Sequence, residues 1–134
     1  MDPILCQFQN HGQDRCRLIA VEGEQDIPFA IQRVYYFCRV PADEVRGCHA
    51  HKTLEQVIIC LHGACTIRLD DGESRAEVRL NDPQTGLFVG PGHWRELYDF
   101  TPDAVVLVLA SQHYDEGDYI RDYSDFLAWR KPSC

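Results

Sequence analysis

The chain has 134 residues, one domain's worth, and thirteen Lys and Arg against twenty-one Asp and Glu give it a formal charge of −8. That balance excludes a basic face for nucleic acid or an anionic membrane, while a few arginines can still form a local pocket for an anionic small ligand. With 45% hydrophobic residues the chain can bury a core, but its longest apolar run, Ala104 to Ala110, is too short to cross a bilayer.

Taken in order, the N-terminal Met1-Asp2-Pro3-Ile4 has none of the features of a signal peptide. Cys16 to Val21 is strand-like. Arg33 to Val40 is rich in β-branched and aromatic residues and ends at Pro41. Val57 to Leu61 is a continuous apolar run, read as a strand covered on both faces. Cys65, Ile67 and Leu69 alternate with polar residues, as do Ala76, Val78 and Leu80, and Asp71-Gly72 between them supplies a tight hairpin turn. Ala104 to Ala110 reads as a second strand covered on both faces. Ser124 is the expected cap of a short helix holding Asp125, Phe126, Leu127 and Trp129, with Pro132 at its limit. Frequent turn signals between short strands, with no linker or repeat, predict one all-β domain over residues 1–134, a sandwich or barrel with a short C-terminal helix. Seven cysteines without a CxxC pair read as free thiols in a reducing cytoplasm, with Cys38, Cys48, Cys60 and Cys65 buried in strands.

The densest polar cluster is Arg46-Gly47-Cys48-His49-Ala50-His51-Lys52, followed by Glu55. In a strand, His49 and His51 project from one face about 6–7 Å apart. Two adjacent imidazoles suit metal binding or proton transfer at a substrate. Strand parity puts Tyr36 with Val34, Cys38 and Val40 on the more apolar, inward face, and Tyr35 with Arg33, Phe37 and Arg39 on the other.

His49-Ala50-His51 with Glu55, Gly63 and the later Pro91-Gly92 resembles the two histidine motifs of the cupin superfamily. Arg33-Val34-Tyr35-Tyr36, Arg46 to Lys52, Glu55-Gln56-Val57, Asn81-Asp82-Pro83, Pro91-Gly92-His93-Trp94, Leu97-Tyr98-Asp99-Phe100 and Asp115 to Tyr119 together resemble the dTDP-4-keto-6-deoxyglucose 3,4-ketoisomerases of deoxysugar biosynthesis. The resemblance spans about Arg17 to Phe126. It implies a cupin or jelly-roll β-barrel that moves a sugar ketone from C4 to C3 through an enediol, with neither a redox cofactor nor a metal. His49 and His51 would transfer protons and Tyr36 would donate a hydroxyl. Arg46, Arg33, Lys52, Arg95, Arg17 and Arg121 are the expected contacts to the nucleotide sugar, and Tyr98 or Trp94 could stack on its base. The resemblance also implies a homodimer with exchanged N-terminal strands, for which Cys16 to Val21 would serve.

A metal cupin adds a second-motif histidine to the two of the first. Here Arg95 stands where the resembled family usually has histidine, and a guanidinium repels a divalent cation. His93, two residues earlier on the same strand parity, is the other candidate for that place. Three rivals remain: a metal-dependent cupin, a 3,5-epimerase-type enzyme, which pairs one histidine with an aspartate, and a non-catalytic sugar-binding cupin.

Overall fold

The computed structural model describes residues 1–131. Ten strands run in chain order: β1 (Ile4–Gln7), β2 (Arg33–Cys38), β3 (Arg46–His51), β4 (Gln56–His62), β5 (Cys65–Asp70), β6 (Arg75–Leu80), β7 (Thr85–Val89), β8 (Trp94–Tyr98), β9 (Val105–Ala110) and β10 (Tyr119–Ile120), followed by helix α1 (Tyr123–Arg130). They form two antiparallel five-stranded sheets, ordered β1-β7-β4-β9-β2 and β10-β3-β8-β5-β6. This is the all-β, cupin-like architecture with a short C-terminal helix.

Three apolar layers hold it together. Between the sheets lie Ile58, Cys60, Ile67, Leu87, Leu97, Val106 and Val108. The alternate residues of the first sheet, Val57, Ile59 and Leu109, are covered from outside by Phe8, Ile27 and Phe29 of the long segment between β1 and β2. The continuous apolar runs at β4 and β9 are explained by this double covering. On the outer face of the second sheet, Ala50 and Trp94 pack with Ile120 and Phe126 of β10 and α1. The β5–β6 hairpin pairs Cys65 with Leu80 through Asp70 with Arg75, and Gly72 in its turn has φ 93°.

Several expectations need correction. Cys16 to Val21 is not a strand; within it only Ile19 makes an isolated bridge, to Asn10, and β1 is instead the N-terminal strand. Cys38 is exposed, because nothing among the described residues covers the outer face of β2; Cys48 is half-buried, and Cys60 and Cys65 are buried. The helix is capped by Asp122, whose side chain accepts from the Asp125 amide, and Ser124 lies inside it. Pro132 and Cys134 lie outside the described residues.

Candidate active site

β3 presents both histidines. Its pairing with β8 is broken by a bulge: Gly47 opposes Glu96, His49 opposes Arg95, and Cys48 is the extra residue. Gly47 and Cys48 both take positive φ, 85° and 54°. A Cβ on Gly47 would also lie 3.1 Å from the Arg95 carbonyl oxygen, so glycine is favoured on two counts. Beyond the bulge, alternation puts His49 and His51 between the sheets and Ala50 against the helix layer.

The two imidazoles meet edge to face with centroids 4.8 Å apart. Both lie against Tyr119, the Cα partner of His51, at 4.9 and 4.3 Å. His49 Nδ1 faces the Gly47 carbonyl at 2.9 Å, and His51 Nδ1 faces Asp118 Oδ2 at 3.2 Å. A carbonyl and a carboxylate only accept, so each Nδ1 carries the proton and each Nε2 keeps its lone pair. Both Nε2 atoms are buried without a partner. Burial, reinforced by the Arg95 charge, lowers His49 to about 4; burial, Arg95 and His49 lower His51 to about 3. Both rings are therefore neutral at pH 7. Burial pushes Asp118 up, but hydrogen bonds from the Thr53 hydroxyl and the Thr53 and Leu54 amides outweigh it and keep the carboxyl below its usual value. The His51–Asp118 contact is thus a neutral imidazole donating to a carboxylate.

His49 opens onto a cavity of about 200 Å³ between the sheets, lined also by Tyr35, Phe37, Arg46, Gln56 and Arg95. Arg95 is 2% exposed, and burial lowers its guanidinium to about 10, so it remains charged at neutral pH. It donates from Nη1 to Gln56 Oε1 at 2.5 Å and from Nη2 to the His93 carbonyl at 3.1 Å. Gln56 Nε2 in turn donates to the Tyr35 hydroxyl oxygen at 3.1 Å. A neutral base, a phenol and a buried cation around one cavity suit proton transfer next to a carbonyl.

Tyr35 and Tyr36 exchange the places expected of them. In the β2–β9 register Tyr35 pairs with Val108 and Tyr36 with Leu107. Tyr35 therefore packs against the inner core, while the Tyr36 side chain lies on the outer face, 72% exposed. Apolarity misleads here because the outer face of β2 leaves Val34, Tyr36 and Cys38 exposed.

Of the expected anion contacts, Arg46 and Arg95 line the cavity. Arg46 lies over the Phe37 ring at 4.8 Å, its Nη1 3.5 Å from Glu44. Arg33 stands behind His51, over the rings of Tyr35 and Tyr114, with its Nε unpartnered. Arg121 lies over Tyr119 and binds Glu116, and it shares a separate surface recess with Lys52. Arg17 pairs with Asp82, away from the cavity. Trp94 packs against Tyr123 and Phe126 in the helix layer, and Tyr98 donates to Glu77; neither lines the cavity. His93 Nδ1 faces the Gly90 and Pro91 carbonyls and borders a small recess beside Met1 and Pro3, so it does not join His49 and His51. Among the described residues no three His, Cys, Asp or Glu side chains converge as a metal site.

Asp118, Gln56, Tyr35 and Tyr119 were not assigned roles from the sequence, although each lies within a quoted motif. The strongest missed signal was Gln56, a polar residue opening a run of buried apolar ones. Asp118 also weakens the sequence argument against a 3,5-epimerase-type enzyme, since His51 does have an aspartate partner.

The family described as FdtA: WxcM-like, C-terminal, matches residues 1–131. The TDP-4-oxo-6-deoxy-alpha-D-glucose-3,4-oxoisomerase of Aneurinibacillus thermoaerophilus is 48% identical over 126 residues, spanning 94% of this chain and 91% of that one. A variant of the 3,4-ketoisomerase QdtA from Thermoanaerobacterium thermosaccharolyticum, solved in complex with TDP-4-keto-6-deoxyglucose, is 45% identical over 96% of this chain and 93% of its own, with a TM-score of 0.93. A 3,4-ketoisomerase from Helicobacter canadensis is also 45% identical, covers 97% and 98% of the two chains, and has a TM-score of 0.93. This chain belongs to the same family, that of the sugar 3,4-ketoisomerases.

Proposed function

We propose that this protein converts a dTDP-4-keto-6-deoxyglucose-type nucleotide sugar into its 3-keto isomer. The observation that carries this reading is the neutral His49 with an unpartnered Nε2, facing a cavity that also holds Tyr35 and Arg95. The C4 carbonyl acidifies the C3 hydrogen. His49 Nε2 takes that proton, the C3–H pair forms a C3–C4 double bond, and the carbonyl pair moves to O4, which accepts a proton from the Tyr35 hydroxyl. The enediol then loses the O3 proton to the tyrosinate, the C3 carbonyl forms, and C4 takes the proton held by His49. No electrons enter or leave, so a redox cofactor has no part in this sequence.

The roles divide by position. His51, held by Asp118, packs against His49 and fixes its ring. Tyr35 replaces Tyr36 as the hydroxyl donor, because its side chain lies on the inner face and bonds the buried Gln56, whereas Tyr36, which also borders the cavity, is 72% exposed. Arg95 supplies positive charge beside the developing O4 anion, and Arg46 meets the diphosphate at the mouth.

The homodimer remains part of the proposal, with β1 as the exchanged element. β1 is an edge strand whose Ile4 and Leu5 are 59% and 46% exposed, and a partner's copy could pair with β7 in the same register. Sedimentation of the purified protein tests this. We place the protein in the cytoplasm because the six described cysteines are all unpaired.

Incubation with dTDP-4-keto-6-deoxyglucose, followed by carbon NMR, tests the reaction. A ketone resonance at C3 is the expected result, and intact starting material overturns it. Because His51 has an aspartate partner, inversion at C3 or C5 with the ketone still at C4 would identify an epimerase instead. Binding of TDP without turnover would identify a non-catalytic cupin.

A further inference from the structure

Gln56 is the one buried neutral polar side chain in the inner wall of the cavity, and it touches both Tyr35 and Arg95. Its side chain is 1% exposed, and its backbone is pinned between Val89 of β7 and Ala110 of β9. The amide cannot be turned over. A guanidinium has only donors, so Arg95 fixes the oxygen, Oε1, toward itself and leaves Nε2 toward Tyr35. The Tyr35 oxygen is thereby made an acceptor from Gln56, and its own hydrogen must point elsewhere. The open side of that hydroxyl is the cavity.

We infer that Gln56 is a positioning residue for the isomerisation: it relays the fixed orientation of Arg95 to Tyr35, so that the phenol presents its proton to the substrate oxygen. This rests on the ketoisomerase reading above. The chain of donors runs Arg95 to Gln56 to Tyr35 to substrate, and each link polarises the next in the same sense. The same amide stabilises Tyr35 as tyrosinate after its proton has left, because Nε2 then donates to a charged oxygen.

Gln56→Glu preserves the side-chain length and the oxygen that Arg95 needs, and the new charge is compensated by that guanidinium. It replaces the donor to Tyr35 with a second acceptor, which draws the phenol hydrogen away from the substrate. Expected are a kcat at least about 30-fold lower and a KM and TDP affinity within about threefold of wild type. A residue serving only to hold the fold would change stability and KM without this separation. The deciding measurement is a double-mutant cycle with Tyr35→Phe: if Gln56 acts through Tyr35, adding Gln56→Glu to Tyr35→Phe changes kcat by less than about twofold. Losses that multiply in the double variant, or a single variant within about threefold of wild-type kcat, overturn the assignment. Should Gln56→Glu fail to fold, Gln56→Met, apolar and of equal length, takes its place under the same criterion. An inactive wild-type protein would overturn the ketoisomerase reading and this inference with it; an active wild type with multiplying losses overturns the inference alone.

Discussion

His49 and Arg95 are cross-strand partners, so a buried guanidinium stands beside an imidazole whose Nε2 has no partner. Next to burial, that charge is the largest influence lowering His49 to about 4. If His49 is the base, the free enzyme is competent wherever His49 is neutral. The acid limb of kcat/KM is then expected near pH 4 and not near 6.5. Arg95→Gln removes the positive charge and should move that limb upward, with a loss of TDP affinity from the missing cation. A wild-type limb near 6.5 that Arg95→Gln leaves in place would sink the proposed role of this pair.

The β2 strand separates the two tyrosines by face. Tyr35→Phe removes the hydroxyl in the cavity and should lower kcat by about 10²–10³-fold with a smaller change in KM. Tyr36→Phe changes a side chain that is 72% exposed and should leave kcat within about twofold. Steady-state kinetics of the two variants side by side decides the matter. The reverse ranking would restore Tyr36 as the hydroxyl donor.

How far these features can be read from sequence depends on which force sets them. Strand alternation at β5 and β6, the turn at Asp71-Gly72 and the doubly covered β4 and β9 follow from local pattern, and each is found. The two histidines share a face, as a period of two requires. Three things depend on tertiary contacts, which a local pattern does not carry. Val34, Tyr36 and Cys38 look like a core face, yet nothing among the described residues covers them. The N-terminal segment supplies its cover mainly through Phe8, Ile27 and Phe29, separated along the chain, with Ile19 and Val21 of the strand-like Cys16 to Val21 only partly buried beside them. The Asp118 partner of His51 is 67 residues distant and ends a three-residue 3-10 turn, Glu116–Asp118, with no periodic signal.

The lowered histidines have a consequence for stability. Unfolded, each has an ordinary value near 6.5; folded, His49 lies at about 4 and His51 at about 3. Between those limits the unfolded chain binds more protons than the native one, so stability rises with pH. It is fully present above about 6.5 and declines as pH falls toward 4, by at most about 1.4 kcal/mol per pH unit for each histidine. Urea unfolding at pH 7, 6 and 5 checks this in a range where the carboxylates remain ionised. His49→Asn should make the decline shallower, and an unchanged slope would argue against a buried neutral His49.

Asp118 fixes which nitrogen of His51 carries the proton. Its Oδ1 accepts from the Thr53 amide and hydroxyl at 2.9 and 2.8 Å, while Oδ2 accepts from the Leu54 amide and from His51 Nδ1 at 3.1 and 3.2 Å. Asp118→Asn keeps the shape, and the two Thr53 donors will hold the remaining oxygen on their side. The new NH2 then faces two donors. The Leu54 amide loses its acceptor, which should cost about 1–3 kcal/mol. The imidazole can escape the clash only by moving its proton to Nε2, so that Nδ1 accepts from the asparagine. Nitrogen-15 NMR of labelled histidine should therefore show His51 changing from the Nδ1–H to the Nε2–H tautomer. The hydrogen on Nε2 then occupies the side of the ring that carried the lone pair, disturbing the packing against His49, and kcat should fall by about 10–10³-fold. A spectrum in which His51 keeps its proton on Nδ1, with activity unchanged, would show that Asp118 serves only to anchor the Thr53–Leu54 turn.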